Sequence, residues 1–472
     1  MTTSPKTHAI VIGASMSGLL AARALRDHFE QVTLLERDTL PQSESFRTGV
    51  PQARHVHALL AQGHSLIEGF FPGIMDRITE RGAPRITWCQ DTRYLTQGGW
   101  LKTFDSGIVT NVATRALLEW EVRQRLVAFE NVVIRDHIEV DDLLFSADQR
   151  RVIGVNAHVR GGDAEVLHAD LVVDTSGRRS KLPTWLTEHG YPAPDETAVL
   201  SYLGYATRRY RKPADSTVPP ILFLLARAAQ GLKRGGAIFE VEDGFWQVTL
   251  VGINEDYPPL DDAGFLEFAR TLAAPDLYEA IKDAKPVGDF YGYRVDGSRW
   301  RHYESVSDRP AGLLVMGDSV CGFNPLYGQG MTVAAMEAQA LGDLLRKMPA
   351  SQHGFEGRFQ VRAAQIVKGA WLLATGEDRR FPGTVGAKPD ALTRFSQRYV
   401  DLMMATAMDD EVVIRAFLKV ANLSAPALSL FAPRILGRVL AHAFSPRRPR
   451  QTSSASRWSE NPPPPMPAPH SV

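Results

Sequence analysis

His8-Ala-Ile-Val-Ile-Gly-Ala-Ser-Met-Ser-Gly18 decides the reading of this 472-residue chain. Ala9 to Ile12 is a short, continuously apolar run, the pattern of a strand buried on both faces. Ser17 to Leu25 follows with a high density of helix formers, and Gln31-Val-Thr-Leu-Leu-Glu36 reads as a second buried strand. Strand, tight turn, helix and strand within about 30 residues make a βαβ unit. Such a unit predicts a parallel sheet with a right-handed crossover.

The turn itself is one substitution from G-x-G-x-x-G. Gly13 permits the tight turn, and the helix start behind it offers free N–H groups and a positive dipole end to a pyrophosphate. Ser15 replaces the middle glycine; it is small, and its hydroxyl can donate to a phosphate oxygen. Gly18 closes the motif. Glu36 stands 23 positions beyond Gly13, where an acid accepts from the hydroxyls of an adenosine ribose and suits an unphosphorylated 2′-OH. Arg37, next along, joins the same cofactor-binding set. A structural turn with a solvated Glu is the bland alternative, and the strand and helix on either side favour the dinucleotide.

Composition narrows the function from the other side. With 44% hydrophobic and 22% charged residues the chain has an ordinary globular make-up. Its 53 basic and 53 acidic residues balance, which argues against a dedicated nucleic-acid binder. Cys89 and Cys321 are the only cysteines, so neither a disulfide framework nor a four-ligand Cys/His metal site is expected, and a reducing cytoplasm suits the protein. No apolar run approaches the ~20 residues of a membrane span. Ala9 to Ile12 is too short for a secretory core, so the N-terminus reads as the start of the fold.

Further along, Thr114 to Phe129 has helical spacing, and Val132 to Arg135, Val152 to Val159 and Asp170 to Val173 read as strands. Between about 199 and 305 the pattern changes. Tyr202 to Tyr210, Ile221 to Leu225, Gly236 to Val241 and Trp246 to Val251 read as antiparallel strands with one face covered, and 261–284 as helical. The buried-strand signature returns at Gly312-Leu-Leu-Val-Met-Gly317, so the nucleotide domain is assembled from separated segments. A helix is expected from Met331 to Arg346, and 392–444 is helical by pattern, broken near Pro426 and Pro433. Beyond Pro446 the Arg-, Ser- and Pro-rich sequence predicts disorder.

Gly317-Asp-Ser-Val-Cys-Gly-Phe-Asn-Pro-Leu-Tyr-Gly-Gln-Gly-Met331 resembles the G-D…P…G-Q-G segment of class A flavoprotein monooxygenases, the family of aromatic hydroxylases and flavin epoxidases. Asp318, at the end of a buried strand, is placed to accept from ribityl hydroxyls. Pro325 and the Gly328 to Gly330 turn open a helix whose amides, with Met331, can face the flavin's pyrimidine edge. Glu337 falls where the family often has an acid. Asp174-Thr-Ser-Gly-Arg-Arg-Ser180 resembles the second fingerprint, with Ser176 where the commonest pattern has Asp. Arg115 matches an arginine used against the flavin side. In Gly49 to Leu60 the resemblance implies that Arg54 or Gln52 contacts the flavin ring or its ribityl chain. His55 and His57 share one face only on a strand, and without clustered acids or thiols they do not predict a metal.

Together these segments resemble the flavin epoxidases of polyether biosynthesis and the related monooxygenase that epoxidises the quinoline of aurachin. The resemblance implies an α/β fold: a Rossmann-like FAD-binding domain of the aromatic-hydroxylase type in segments 1–78, 106–190 and 299–370. A substrate domain with an inserted antiparallel β-sheet takes 79–105 and 191–298, a helical region 371–445 and a tail 446–472. It implies FAD, NADH or NADPH as donor, O2, and oxygen transfer through a flavin hydroperoxide to a lipophilic secondary metabolite. A prenylated quinolone of the aurachin type is one such substrate.

No base constellation stands out in 199–305, which favours epoxidation over phenol hydroxylation, and no catalytic residue is assigned. Tyr202, Tyr205, Phe223, Phe239, Trp246, Phe290, Tyr291 and Tyr293 are candidates for an apolar pocket. A polyketide hydroxylase, a halogenase and a prenyl reductase are the alternatives. The halogenase expects W-x-W-x-I-P and a lysine, and no such segment surrounds Trp88, Trp100 or Trp120. Ala425 to Arg450 reads as a helix packed on the catalytic domain or, alternatively, one seated on the inner face of an anionic membrane. The balanced charge divides accordingly: 446–472 carries a net +3 and the rest −3.

Overall fold

The computed structural model describes residues 7–444; the tail read as disordered lies outside them. His8–Ile12, Gln31–Leu35, Leu171–Asp174, Leu313–Val315 and Val132–Arg135 form one five-stranded parallel sheet. His8–Ile12 is its central strand, and from Ala9 onward it is buried throughout, as its unbroken apolar run requires. The helix Met16–Leu25 packs on the helix Gly330–Leu345, so the two glycine-rich turns that open these helices lie on the same side of the sheet. The sheet is thus gathered from segments far apart in the chain.

A second, eight-stranded sheet forms the other unit. Its spine is an antiparallel pair of sixteen-residue strands, Glu196–Arg211 and Pro286–Arg301. Pro286–Arg301 escapes sequence reading because its exposed half carries Gly, Asp and Arg where a strand signal would need apolar alternation. Thr92–Thr96 joins beside Ile221–Leu224 in parallel, so the segment before the nucleotide domain's second portion delivers a strand to this sheet.

Phe355–Asp378 is a 24-residue helix that passes through the boundary expected at 370–371. Phe355, Phe359, Ala363, Val367 and Trp371 recur every four residues and keep one buried face continuous across it. The third nucleotide-domain segment therefore runs without a break into the C-terminal region. That region folds as Ala391–Thr406, Glu411–Ala421 and Pro433–Phe444. The first two start where Asp390 and Asp410 accept from the free amides of the first turn, and the third starts at a proline.

Candidate functional site

The Gly13–Gly18 turn is built so that only glycine fits at its ends. A Cβ on Gly18 would lie 1.9 Å from the Gly13 carbonyl oxygen, and Gly13 itself has φ +96°. Ser15 stands at the N-cap position of the following helix, but its hydroxyl turns away from the first-turn amides and accepts from the Arg115 guanidinium at 2.8 Å. Arg115 opens its own helix, whose N-cap Thr114 is held by buried Glu242: the Thr114 amide donates to it at 3.0 Å and the Thr114 hydroxyl donates to its other oxygen. A carboxylate of the second unit thus sets the arginine against the first glycine turn.

Glu36 accepts from the Ala14 amide at 2.9 Å and the Asp38 amide at 3.1 Å, and pairs with Arg47 at 2.6 Å. Burial works to raise its pKa, but the Arg47 charge and these hydrogen bonds prevail and hold it below the ordinary value. Arg47 also reaches Glu119 at 3.3 Å and Asp38 at 3.6 Å. This arginine was not foreseen: it sits in a polar loop without periodicity, and the one available signal was that a buried Glu36 requires a cation nearby.

Across the cradle, Asp318 carries no hydrogen bond to a described residue; burial raises its pKa while Arg178 and Arg115 oppose the rise. Beneath it the fully buried Glu337 accepts from the Gly317 amide at 2.7 Å, and burial pushes its pKa up to about 8. Asp378 at the end of the long helix accepts from Asn324 at 2.7 Å and from the Tyr327 hydroxyl at 2.9 Å. It thereby anchors the loop that carries Pro325 and Gly328. Burial pushes Asp378 up to about 7.

In the third segment Asp174 braces the loop from inside, accepting from the Ser176 amide at 2.9 Å and the Ser180 hydroxyl at 2.5 Å. Gly177 and Arg178 face the cavity, and Arg178 also donates to the Phe323 carbonyl at 3.0 Å.

The irregular segment around His55 is pinned to the large sheet by three inward polar residues. Gln247 donates to the Arg54 carbonyl at 2.8 Å, Thr207 meets His55 Nδ1 at 2.7 Å, and the Val56 amide donates to Thr249 at 3.1 Å. Thr249 and Thr207 are themselves 2.5 Å apart. The ordering that uses both hydroxyl protons within this row runs Thr249 to Thr207 to His55 Nδ1, which leaves the proton on the buried Nε2; the imidazole centroid lies 5.7 Å from the rings of Tyr205 and Tyr293. Burial lowers the His55 pKa to about 4; for His57 burial, aided by the Arg115 charge, lowers it to about 3. Both imidazoles are neutral, and no metal-binding cluster exists among the described residues. Thr249→Val should strand the Val56 amide and cost about 1–3 kcal/mol. Thermal unfolding checks this, and an unchanged midpoint contradicts it.

One cavity of about 2000 Å³ joins these parts. It is larger than the ~300–1,000 Å³ of a single-ligand pocket, as expected where a cofactor and a substrate lie together. Ser15, Arg37, Arg115, Asp318, Pro325, Gly328, Gly330 and Met331 line it. Gly13, Gly18 and Glu36 stand behind that lining, shaping the turn and its charge. Arg54 is placed otherwise: its guanidinium lies over the Tyr291 ring at 4.4 Å and faces Phe46 at 5.2 Å, while Gln52 lines the cavity. Of the aromatic candidates, Tyr205, Phe223, Phe239 and Tyr293 form walls; Trp246 belongs to the sheet's core, and Phe290 packs on Phe265. The far walls, unforeseen, come from the C-terminal helices through Met403, Met404, Phe417 and Leu418.

No family model matches the sequence. Protein Rv3254 of Mycobacterium tuberculosis is 32% identical over 93% of this chain and 94% of its own length. The chain belongs to the family of Protein Rv3254. A kynurenine 3-monooxygenase of Salinispora tropica is 24% identical over 72% of this chain and 73% of its own. Among solved structures, the flavin-dependent brominase Bmp2 superposes with a TM-score of 0.66 at 16% identity, covering 93% of this chain and 99% of that one. At that identity the likeness is one of fold. The fold of this family member is accordingly the FAD-dependent aromatic-hydroxylase type, as the glycine turns implied.

Proposed function

We propose that the protein is an FAD-dependent monooxygenase that uses NAD(P)H and O2 to insert one oxygen atom into a large lipophilic substrate. The observation that carries this reading is the continuous cavity whose one end is the glycine-turn cradle and whose other end is apolar. The residues present fit FAD. Ser17 Oγ and Gln329 Oε1 are buried without a partner, and Asp318 is free to accept, as in a cradle made for a polar ligand.

Ser15, Arg115 and the amides behind Gly13 would hold the pyrophosphate. Glu36 would take the adenosine ribose, Asp318 the ribityl hydroxyls, and the amides after Gly328 the pyrimidine edge. Bound FAD supplies reduction by the nicotinamide donor and activation of oxygen. The chain's own part is to orient the substrate and exclude water: Phe223, Phe239, Met403 and Phe417 do both, while neutral His55 and the Tyr205–Tyr293 pair bound the polar end. Kynurenine 3-monooxygenase activity among the relatives is consistent with this chemistry. Among the described residues lining the cavity there is no lysine, which favours oxygen transfer over lysine-relayed halogenation.

Epoxidation of a prenylated quinolone of the aurachin type is the specific reaction we favour, since epoxidation, unlike phenol hydroxylation, needs no deprotonated substrate. Purified protein should be yellow and should consume NAD(P)H and O2 when offered a prenylated quinolone, with a product heavier by one oxygen. Colourless protein that does not take up FAD would overturn the flavoenzyme. Yellow protein that oxidises polyenes or phenols but leaves quinolones untouched would overturn the substrate alone.

A further inference from the structure

The cavity does not end inside the protein. Its apolar end is rimmed by Leu392, Phe395 and Leu428, which are 71%, 64% and 80% exposed although they belong to its lining. The helix Pro433–Phe444, packed against Ala391–Thr406, continues this surface. Only Ile435 and Val439 of its apolar residues are covered by the body, whereas Leu440 and Phe444, one turn apart, are 45% and 85% exposed. An apolar arc wider than the area packed against the body is the signature of a helix that has a second apolar neighbour.

Charge says what that neighbour is. Arg434 and Arg438 stand on the polar face of this helix, beside the exposed Leu440 and Phe444 edge, and are exposed, Arg438 also pairing with Asp410 at 2.6 Å; Arg394 and Arg398 are exposed on the helix beside it. The sequence beyond Phe444 adds four arginines against one glutamate. A leucine and phenylalanine stripe flanked by arginine is the pattern that lies in the interface of an anionic bilayer, with the apolar stripe among the acyl chains and the guanidinium groups at the phosphates. A second copy of the chain would close the cavity mouth; a bilayer would feed it.

We infer that the rim and the helix Pro433–Phe444 seat the protein on an anionic membrane surface, so that a lipophilic substrate passes from the lipid into the cavity without crossing water. The substrate half of this inference rests on the proposed monooxygenase; the lipid half does not, and its readout is independent of flavin. The test is flotation of the full-length protein, FAD-loaded where it takes up FAD, with vesicles of phosphatidylglycerol and, separately, of phosphatidylcholine.

Most of the protein should rise with the phosphatidylglycerol vesicles at low salt, and little with phosphatidylcholine. Leu440→Asp/Phe444→Asp should lower the floated fraction at least tenfold, with circular dichroism and flavin content unchanged. Protein that stays in the soluble fraction with phosphatidylglycerol would overturn the inference, and so would a double variant that floats as well as the parent. Light scattering that shows a dimer broken by the same double variant would also overturn it, assigning the face to a second copy. Should the double variant misfold, Arg434→Glu/Arg438→Glu carries the test on the charge side, where undiminished flotation counts against the proposal.

Discussion

Arg47→Met is expected to lower the stability of the protein by about 3–5 kcal/mol, because it leaves a buried carboxylate without its cation. The Arg47 and Glu36 side chains are 6% and 8% exposed, so water cannot take the cation's place. Glu119 and Asp38 also face this guanidinium, and its removal brings three carboxylates together, with Arg115 reaching only Glu119. The double variant Glu36→Gln/Arg47→Met removes both the cation and its principal partner and should recover more than half of the loss. Denaturant midpoints check both; a single variant as stable as its parent would refute the account.

The pH response separates this charge effect from lost packing. In the parent, Glu36 titrates below its ordinary value, so it contributes stability above pH ~4.5 that is lost as the pH falls through its folded pKa. Without Arg47, burial prevails and raises that pKa. The variant should then gain on its parent as the pH is lowered toward 4.5, which a packing defect would not do.

How much was legible in the sequence followed how local each signal was. The βαβ unit could be read because its buried strands announce themselves by unbroken apolar runs and its turn by glycines that only a left-handed or crowded backbone requires. The same held for the 317–331 segment. Arg47, Asn324 and Asp378 were not read, because each acts across a tertiary contact: Asp378 lies 54 residues from the asparagine it holds. Arg54 could be placed beside the cofactor segment but not aimed, since what turns it toward Tyr291 is a strand that polar residues hide. The leucines, valines and methionines of 392–444 showed their helical spacing plainly. Periodicity says that a face is buried and not against what, so their role as a cavity wall emerged only from the packing.

Between pH 6.5 and 8 the protein should lose about 3 kcal/mol of stability through two carboxyls that folding keeps protonated. Burial raises Glu337 from 4.5 to about 8 and Asp378 from 3.8 to about 7. A group with a raised folded pKa contributes stability that is complete below its unfolded pKa and is lost as the pH climbs through the folded one. His55 and His57, lowered by burial from 6.5 to about 4 and about 3, act in the opposite sense. Their contribution is complete above 6.5 and is lost as the pH falls. From about 4.5 to 6.5 the unfolded chain binds two protons at the histidines that the folded one lacks, and lacks two that the folded one holds at the carboxyls, so the four groups cancel. Above 6.5 the histidines no longer differ and the carboxyls act alone, both up to 7 and Glu337 on to 8. Through these four groups the thermal midpoint of the parent should therefore be level on the acid side and decline above 6.5. Glu337→Gln should flatten the stretch from 7 to 8, and Glu337→Gln/Asp378→Asn the whole decline. If the double variant declines as steeply as the parent, the carboxyls are ionised in the fold, and the loop carrying Pro325 and Gly328 is held by a charge instead of a neutral acid.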